Sequence, residues 1–144
     1  MSATARSRPV WQDHRLDVLM GTELHRHMGL READPQDPGA GLVLDVTPEL
    51  ANNSQMLHGG LVATMLDVAA AYAIFPILAD NEVVLTNSLS ISYLRPVPVG
   101  SRVWARGDVL RRGQATAFLR SEVGIGDKTV AIAQVVKAIV TLED

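Results

Sequence analysis

The chain has 144 residues, the size of one domain, and is long enough to bury a hydrophobic core. Its formal net charge is -3 and only 4% of its residues are aromatic, so it lacks the basic, stacking surface of a general nucleic-acid binder. The absence of cysteine excludes disulfides, thiolate metal sites and a cysteine nucleophile. We therefore predict one domain over residues 1–144, with no nucleic-acid partner.

Residues 1–35 are predicted to be a partly helical amino-terminal extension of this domain. Leu16, Leu19, Met20 and Leu24 recur at a loose helical spacing. Residues 1–16 are basic and polar and contain no apolar run, so the sequence predicts no secretory signal and a cytoplasmic location.

The most apolar stretch, residues 59–79, has the length of a membrane span. Asp67 lies inside it, and a spanning helix would have to bury that carboxylate in lipid. We therefore expect a buried central helix that begins at Gly59 and ends near Pro76, and no membrane partner. A helix that is apolar all round needs cover on every side, and one sheet covers only one side. We expect a second copy of the chain to cover the rest.

The remaining segments predict strands. A first strand over residues 42–47 precedes the helix, and turns rich in proline and glycine separate four more strands after it. These cover residues 83–94, 103–110, 115–123 and 129–142, and Leu89, Ile91 and Tyr93 share one face of their strand. The order predicts an α+β fold, in which a five-stranded antiparallel sheet wraps around one long helix.

Asp67 is the only formally charged side chain between Ala51 and Ala79. A lone buried carboxylate is costly unless it is paired, hydrogen-bonded or near water. Two interpretations follow. Asp67 either pairs with another group at an interface, or it acts as a general base or nucleophile in a largely apolar pocket.

His58, Gly59 and Gly60 stand at the start of the predicted helix. The first N–H groups of a helix have no internal partner and lie at the positive end of its dipole. They can hold a phosphate or polarise a carbonyl, although a pair of glycines also makes an ordinary turn. Asn52, in the preceding loop, can offer its amide to a carbonyl or a water, or can simply form a turn.

The spacing of these groups predicts a shared site. Asp67 lies nine residues after His58, which is roughly 13 Å along a helix. That distance is too great for both to act on one carbonyl carbon. Two helices packed antiparallel in a dimer would bring the helix N-terminus of one protomer to Asp67 of the other.

The segment from Asn52 to Asp67 resembles the PaaI-type hotdog-fold thioesterases of phenylacetate degradation. That family has an asparagine, then His-Gly-Gly six residues later, then an aspartate nine residues after the histidine, and all three spacings are met here. The segments SISYLRP, residues 90–96, and RGQ, residues 112–114, also match, so that the resemblance covers residues 40–142. Gln55 departs from the pattern, because many relatives have glycine there.

The resemblance implies a hotdog fold, a dimer with a continuous sheet that is often doubled to a tetramer, and hydrolysis of acyl-CoA thioesters. Coenzyme A would enter only as part of the substrate, with no metal or other cofactor. Asp67 would be the nucleophile or general base, the N–H of Gly59 would polarise the thioester carbonyl, and Asn52 would orient the carbonyl or the water.

Further roles follow from the same resemblance. The Thr86 hydroxyl would position water or hold the Asp67 carboxylate, and His58 would be largely structural. Substrate binding is expected from five residues: Gly60, Tyr93, Arg95, Arg111 and Arg112. The three arginines are candidates for the CoA phosphates, although arginine also suits the outward face of an exposed strand.

Two other functions stay open. A hydratase or dehydratase on this fold needs a catalytic histidine in an acid–base pair, and the His-Gly-Gly and Asp67 pattern favours hydrolysis instead. A non-catalytic acyl-CoA-binding or regulatory protein would bind the thioester without releasing thiol. His25 and His27 predict no metal site, because no acidic or cysteine partner accompanies them at typical spacing.

Overall fold

The computed structural model describes residues 10–143 of the chain, so residues 1–9 of the predicted extension lie outside it. The helices are α1 (Val10–Met20), α2 (Glu23–Met28) and α3 (Gly59–Ile74). The strands are β1 (Arg31–Glu32), β2 (Leu42–Asp45), β3 (Glu82–Tyr93), β4 (Arg102–Arg112), β5 (Thr116–Ile125) and β6 (Lys128–Thr141).

The strands form one antiparallel sheet of six strands in the order β1-β2-β4-β5-β6-β3. The predicted number of five was wrong, because β1 adds a two-residue strand in which Arg31 pairs with Val43. Two residues are too short to show the alternation from which strands are predicted. The other five strands lie where the sequence predicts them, and the α+β hotdog architecture is confirmed.

The central helix α3 lies against the sheet, and most of its side chains are buried. It makes a close approach to β4, because a Cβ atom on Gly107 would stand only 2.4 Å from the carbonyl oxygen of Ala69. The helix ends at Ile74 and passes into a 3₁₀ turn over Phe75–Ile77, near the predicted stop at Pro76. Gly107 therefore sets the distance between α3 and the sheet near Asp67.

The segment Gly59–Ile77 is the one part of the described chain that is long and apolar enough to cross a membrane by length and composition. Half of its most apolar window is buried inside the protein. The core helix of a soluble protein passes the same test, so this property alone is weak support for a membrane span.

The strand β3 ends the sheet, so its outer edge has no strand partner within the described protomer. A bulge between Thr86 and Ser88 shifts its alternation by one residue. Val84 before the bulge and Leu89 after it both pack against the core, although they are an odd number of residues apart. The bulge thus allows Thr86 and Leu89 to face α3 together.

The described part of the amino-terminal extension joins the same core. Leu16 of α1 and Met28 of α2 are buried with the residues of α3. His25 of α2 is also buried, and its Nδ1 lies 2.8 Å from the carbonyl oxygen of Leu19. Residues 16–30 are therefore packed onto the sheet-and-helix unit.

Candidate active site

The Asp67 carboxylate lies in a cluster with Thr86 and Lys137. Its Oδ1 accepts a hydrogen bond from the Thr86 hydroxyl at 2.7 Å and one from the Lys137 ammonium at 3.1 Å. The same ammonium donates to the Thr86 hydroxyl oxygen at 2.8 Å. The side chain of Asp67 is 37% exposed, whereas that of Lys137 is 4% exposed. A buried cation thus supports a carboxylate that solvent can reach.

Lys137 was missed by the sequence analysis. It is one of two lysines in the chain, and it interrupts a long apolar strand at a position on the same face as Val135 and Ile139. These neighbours are buried against the core, so the alternation of side chains along β6 predicts that Lys137 also lies on the buried side of the sheet. Its cross-strand partner in the ladder is Thr86, which explains why the two polar groups meet.

The His58-Gly59-Gly60 turn forms the N-terminus of α3. The Nδ1 atom of His58 accepts the backbone N–H of Gly60 at 2.9 Å, and its carbonyl accepts the N–H of Leu61 at 2.9 Å. The backbone N–H of His58 in turn donates to Leu50 in the preceding loop. Within the described residues, the N–H of Gly59 has no acceptor. It is the free donor at this end of the helix.

The loop before His58 is built around the side chain of Asn52. Its Oδ1 accepts the N–H of Ser54 at 2.9 Å and that of Met56 at 3.2 Å, so the predicted turn is formed. These bonds use the carbonyl oxygen of the side chain and leave the amide NH₂ group available. Gln55 has a φ of 61°, in the left-handed region that favours glycine. This is the position at which the sequence departs from the motif described above.

Asn52 and Gly59 line one pocket of about 360 Å³, together with Tyr93 and Arg95. The Tyr93 hydroxyl donates to the carbonyl oxygen of Gly59 at 2.8 Å, which ties the end of β3 to the start of α3. The Arg95 guanidinium donates to the carbonyl of Thr129, and this holds it at the same end of the sheet. Three predicted site residues, Asn52, Tyr93 and Arg95, therefore line the same pocket as Gly59.

Arg112 and Arg111 lie elsewhere, at the end of β4. Arg112 forms an ion pair with Glu82 and stands in register with Thr86 across β5 and β6. The N–H of Ala79 and then the Arg112 guanidinium hold the pKa of Glu82 below its usual value. In the sheet order, β5 and β6 lie between β4 and β3, and the Arg112 side chain contacts β3 at its first residue, Glu82.

The two polar clusters stand at different turns of α3. Gly59 is eight residues before Asp67, which corresponds to about 12 Å along the helix. In one protomer, the Gly59 N–H and the Asp67 carboxylate therefore cannot reach the same carbon atom. Among the described residues, no group of three or more histidine, aspartate or glutamate side chains could hold a metal ion.

Comparison with known proteins identifies the family. Residues 54–132 match the model of the thioesterase superfamily, and this range includes both clusters except for Asn52 and Lys137. The chain belongs to the thioesterase superfamily. A curated Caenorhabditis elegans protein, provisionally named an esterase, is 37% identical over 71 residues, 49% of this chain. That alignment spans 41% of the length of the curated relative.

Solved structures share the fold of this thioesterase-superfamily chain. A Silicibacter pomeroyi thioesterase family protein is 21% identical, with a TM-score of 0.82 over 92% of this chain and 99% of its own. The PaaI protein of Escherichia coli is 20% identical, with a TM-score of 0.78 over 93% and 96%. A Bacillus halodurans protein solved with CoA is 21% identical, with a TM-score of 0.74 over 90% and 83%. The resemblance to the PaaI-type family is confirmed in fold and superfamily.

In this superfamily member, the predicted site residues fall into three places. Asp67, in the middle of α3, contacts Thr86 of β3 and Lys137 of β6, which the sequence did not predict. Asn52, His58, Gly59, Gly60, Tyr93 and Arg95 gather around the N-terminus of α3. Arg111 and Arg112 join neither cluster in the described protomer. The catalytic and substrate-binding roles assigned to these residues stay predictions.

Proposed function

We propose that the protein hydrolyses acyl-CoA thioesters to a free acid and CoA. The observation that carries the proposal is the Asp67 carboxylate on α3, whose Oδ1 is held by Thr86 and Lys137 while the side chain stays partly open to solvent. A carboxylate held in this way can act on an electrophilic carbon. Membership of the thioesterase superfamily supports a thioester as that electrophile.

Two chemical routes fit this carboxylate. As a nucleophile, Asp67 would attack the thioester carbon and expel CoA thiolate, and water would then hydrolyse the resulting anhydride. As a general base, it would take a proton from a water molecule while that water attacks the same carbon. In both routes, the N–H of Gly59 would donate to the carbonyl oxygen as negative charge develops there. The amide of Asn52 would orient the carbonyl or the water.

The reaction needs two copies of the chain under this proposal, because about 12 Å of helix separates Gly59 from Asp67. The unpaired edge of β3 supports a dimer in which two β3 strands pair antiparallel. Thr86 lies near one end of β3 and Tyr93 at the other. A two-fold axis near Ser90 would bring the Thr86 end of one strand to the Tyr93 end of the other. Each dimer would then hold two complete sites.

We extend the proposal to a tetramer of two such dimers. Leu85, Leu110 and Phe118 are large apolar side chains that the protomer leaves exposed. Leu85 and Phe118 alternate with residues that face the core, so they stand on the sheet face away from α3. Burial of that face between two dimers would remove apolar surface from water.

The arginines are proposed to contact CoA, as its phosphates are suited to guanidinium groups. Arg95 is the best placed, because it lines the same pocket as Gly59. A solved structure with this fold is a complex with CoA, which supports CoA as the leaving group. Arg111 and Arg112 would contribute from the partner protomer or not at all.

The test is release of free thiol from short-chain, medium-chain, long-chain, phenylacetyl and hydroxybenzoyl CoA. We expect turnover by the wild type and a loss of about 10²-fold or more in Asp67→Asn, the scale of a missing acid–base group. Asp108→Asn, which changes an exposed aspartate on β4, is the matched control and should keep full activity. Binding of acyl-CoA without thiol release would favour the non-catalytic binding protein.

A further inference from the structure

We infer that Lys137 is a positioning residue for the reaction, whose buried ammonium acts with Thr86 to hold Oδ1 of Asp67 and leave Oδ2 for the substrate. The inference rests on the proposed function, since it assigns how the Asp67 carboxylate is held there. Lys137 lies 70 residues from Asp67 in sequence and on a different element, and its Nζ is 3.1 Å from Oδ1.

The burial of Lys137 argues against an incidental surface contact. Its side chain is 4% exposed, and an ammonium taken out of water is costly without a charged or hydrogen-bonding partner. Asp67 is the carboxylate with which it pairs, and its neighbours on the same strand face, Val135 and Ile139, are apolar. A buried ion pair adds little net stability compared with an apolar side chain of similar volume. Packing therefore does not require a lysine at this position.

The hydrogen bonds within the cluster have a fixed direction. An ammonium can only donate, so the Thr86 oxygen accepts from Lys137 at 2.8 Å. The single hydroxyl hydrogen of Thr86 is then directed to Oδ1 of Asp67 at 2.7 Å. Thr86 consequently holds the carboxylate and has no hydrogen left to position a water molecule.

Both contacts reach the same oxygen of Asp67. Within the described residues, Oδ2 receives no hydrogen bond, and the side chain is 37% exposed. Two donors on Oδ1 restrict rotation of the carboxylate, so Oδ2 is the oxygen presented to a reacting carbon or a water. Loss of one donor would let the group rotate, and a small misplacement of a reacting atom costs up to about 10²-fold in rate.

The first test is kinetic and uses Lys137→Met, whose unbranched side chain is one atom shorter than that of lysine and carries no charge. We expect kcat for thiol release to fall by about 10-fold to 10²-fold with KM changed less than about twofold, because Lys137 acts through Asp67 rather than on substrate. Lys128→Met, at the exposed start of the same strand, should leave both constants unchanged. In an Asp67→Asn background, Lys137→Met should cause no further loss of kcat. An equal fractional loss in both backgrounds would overturn the inference.

The second test does not depend on activity. Asp67→Asn leaves the buried ammonium without its counter-charge, so it should lower Tm. Adding Lys137→Met removes that charge and should restore at least half of the loss. If Lys137→Met instead lowers the Tm of Asp67→Asn further, and the wild type releases thiol, the inference about Lys137 is overturned and the proposed function is not. Restored Tm in a protein whose wild type releases no thiol would instead overturn the proposed function, with the Asp67–Lys137 pair still established.

Discussion

The imidazole Nδ1 of His58 accepts the backbone N–H of Gly60 at 2.9 Å and so caps the N-terminus of α3. This bond occupies one of the first N–H groups of the helix and leaves that of Gly59 without an acceptor in the described protomer. The ring is thereby engaged with the backbone, and Gly59 beside it lines the pocket of Asn52 and Tyr93. A capping histidine and a helical N–H without an acceptor in the described protomer therefore occupy neighbouring positions.

Substitution of His58 separates a capping role from a catalytic one. Asparagine is among the best N-cap residues, so His58→Asn should retain most of the stability and of kcat. His58→Ala removes the cap and should lower the free energy of unfolding by about 1 kcal/mol. Urea denaturation and thiol release on both variants make the comparison. A loss of about 10²-fold in kcat for His58→Asn, with stability kept, would show that the imidazole takes part in proton transfer.

Gly59→Ala tests whether substrate approaches the N-terminus of α3 closely. A methyl group there would stand 3.7 Å from the Tyr93 ring, an ordinary van der Waals contact, and the backbone N–H would remain. We expect an unchanged Tm and a fall in kcat/KM of about 10-fold or more, because the methyl group occupies space beside the proposed oxyanion donor. Circular dichroism melting and thiol release measure the two quantities. Unchanged kcat/KM would place the thioester elsewhere.

Gln55→Gly addresses the strained loop position. Gln55 has a φ of 61°, and left-handed backbone costs a residue with a side chain about 1 kcal/mol more than it costs glycine. Part of this gain is offset by the larger unfolded-state entropy of glycine, so we expect a rise in stability of about 0.5 kcal/mol. Gln36→Gly, in another exposed loop, lacks the positive φ and should be destabilising. Equal effects at the two sites in urea denaturation would contradict this account.

Cysteine cross-linking at three serines of β3 tests where the two-fold axis of the proposed dimer lies. Ser88, Ser90 and Ser92 are exposed and alternate with the partly buried Leu89 and Ile91. The chain has no cysteine, so one introduced cysteine can form a disulfide only with another copy. Antiparallel neighbours at a two-fold axis are about 4.5–5.5 Å apart between Cα atoms, which suits a disulfide. We expect Ser90→Cys to form the disulfide dimer most completely under mild oxidation.

Two other cross-linking results would contradict the proposed dimer. Faster cross-linking of Ser88→Cys or Ser92→Cys would shift the two-fold axis along β3 and separate Thr86 from Tyr93 of the other strand. Absence of cross-linking in all three variants, with a monomeric mass by light scattering, would contradict pairing through β3. Asp127→Cys, in the exposed turn between β5 and β6, serves as the control for random collision.

Local patterns along the chain account for much of the fold and of one cluster. Alternation of apolar residues predicts five strands, and the apolar run from Gly59 predicts α3. Asn52, His58 and Gly59 are close in sequence, so their meeting at one helix end follows from a short loop. The spacing of Gly59 and Asp67 is likewise a property of a regular helix.

Only the tertiary structure decided the contacts between residues that are far apart in the sequence. Lys137 meets Asp67 only because β6 pairs with β3 and lies beneath α3, and β3 keeps Thr86 facing inward only because of its bulge. The two-residue β1 likewise exists only through its pairing with β2. The spacing of apolar residues that marks a helix or a strand is a property of residues close in sequence, so the sequence by itself determined these elements. Strand order and cross-sheet contacts depend on how all segments bury their apolar faces together, so the Asp67–Thr86–Lys137 cluster emerges only from the folded chain.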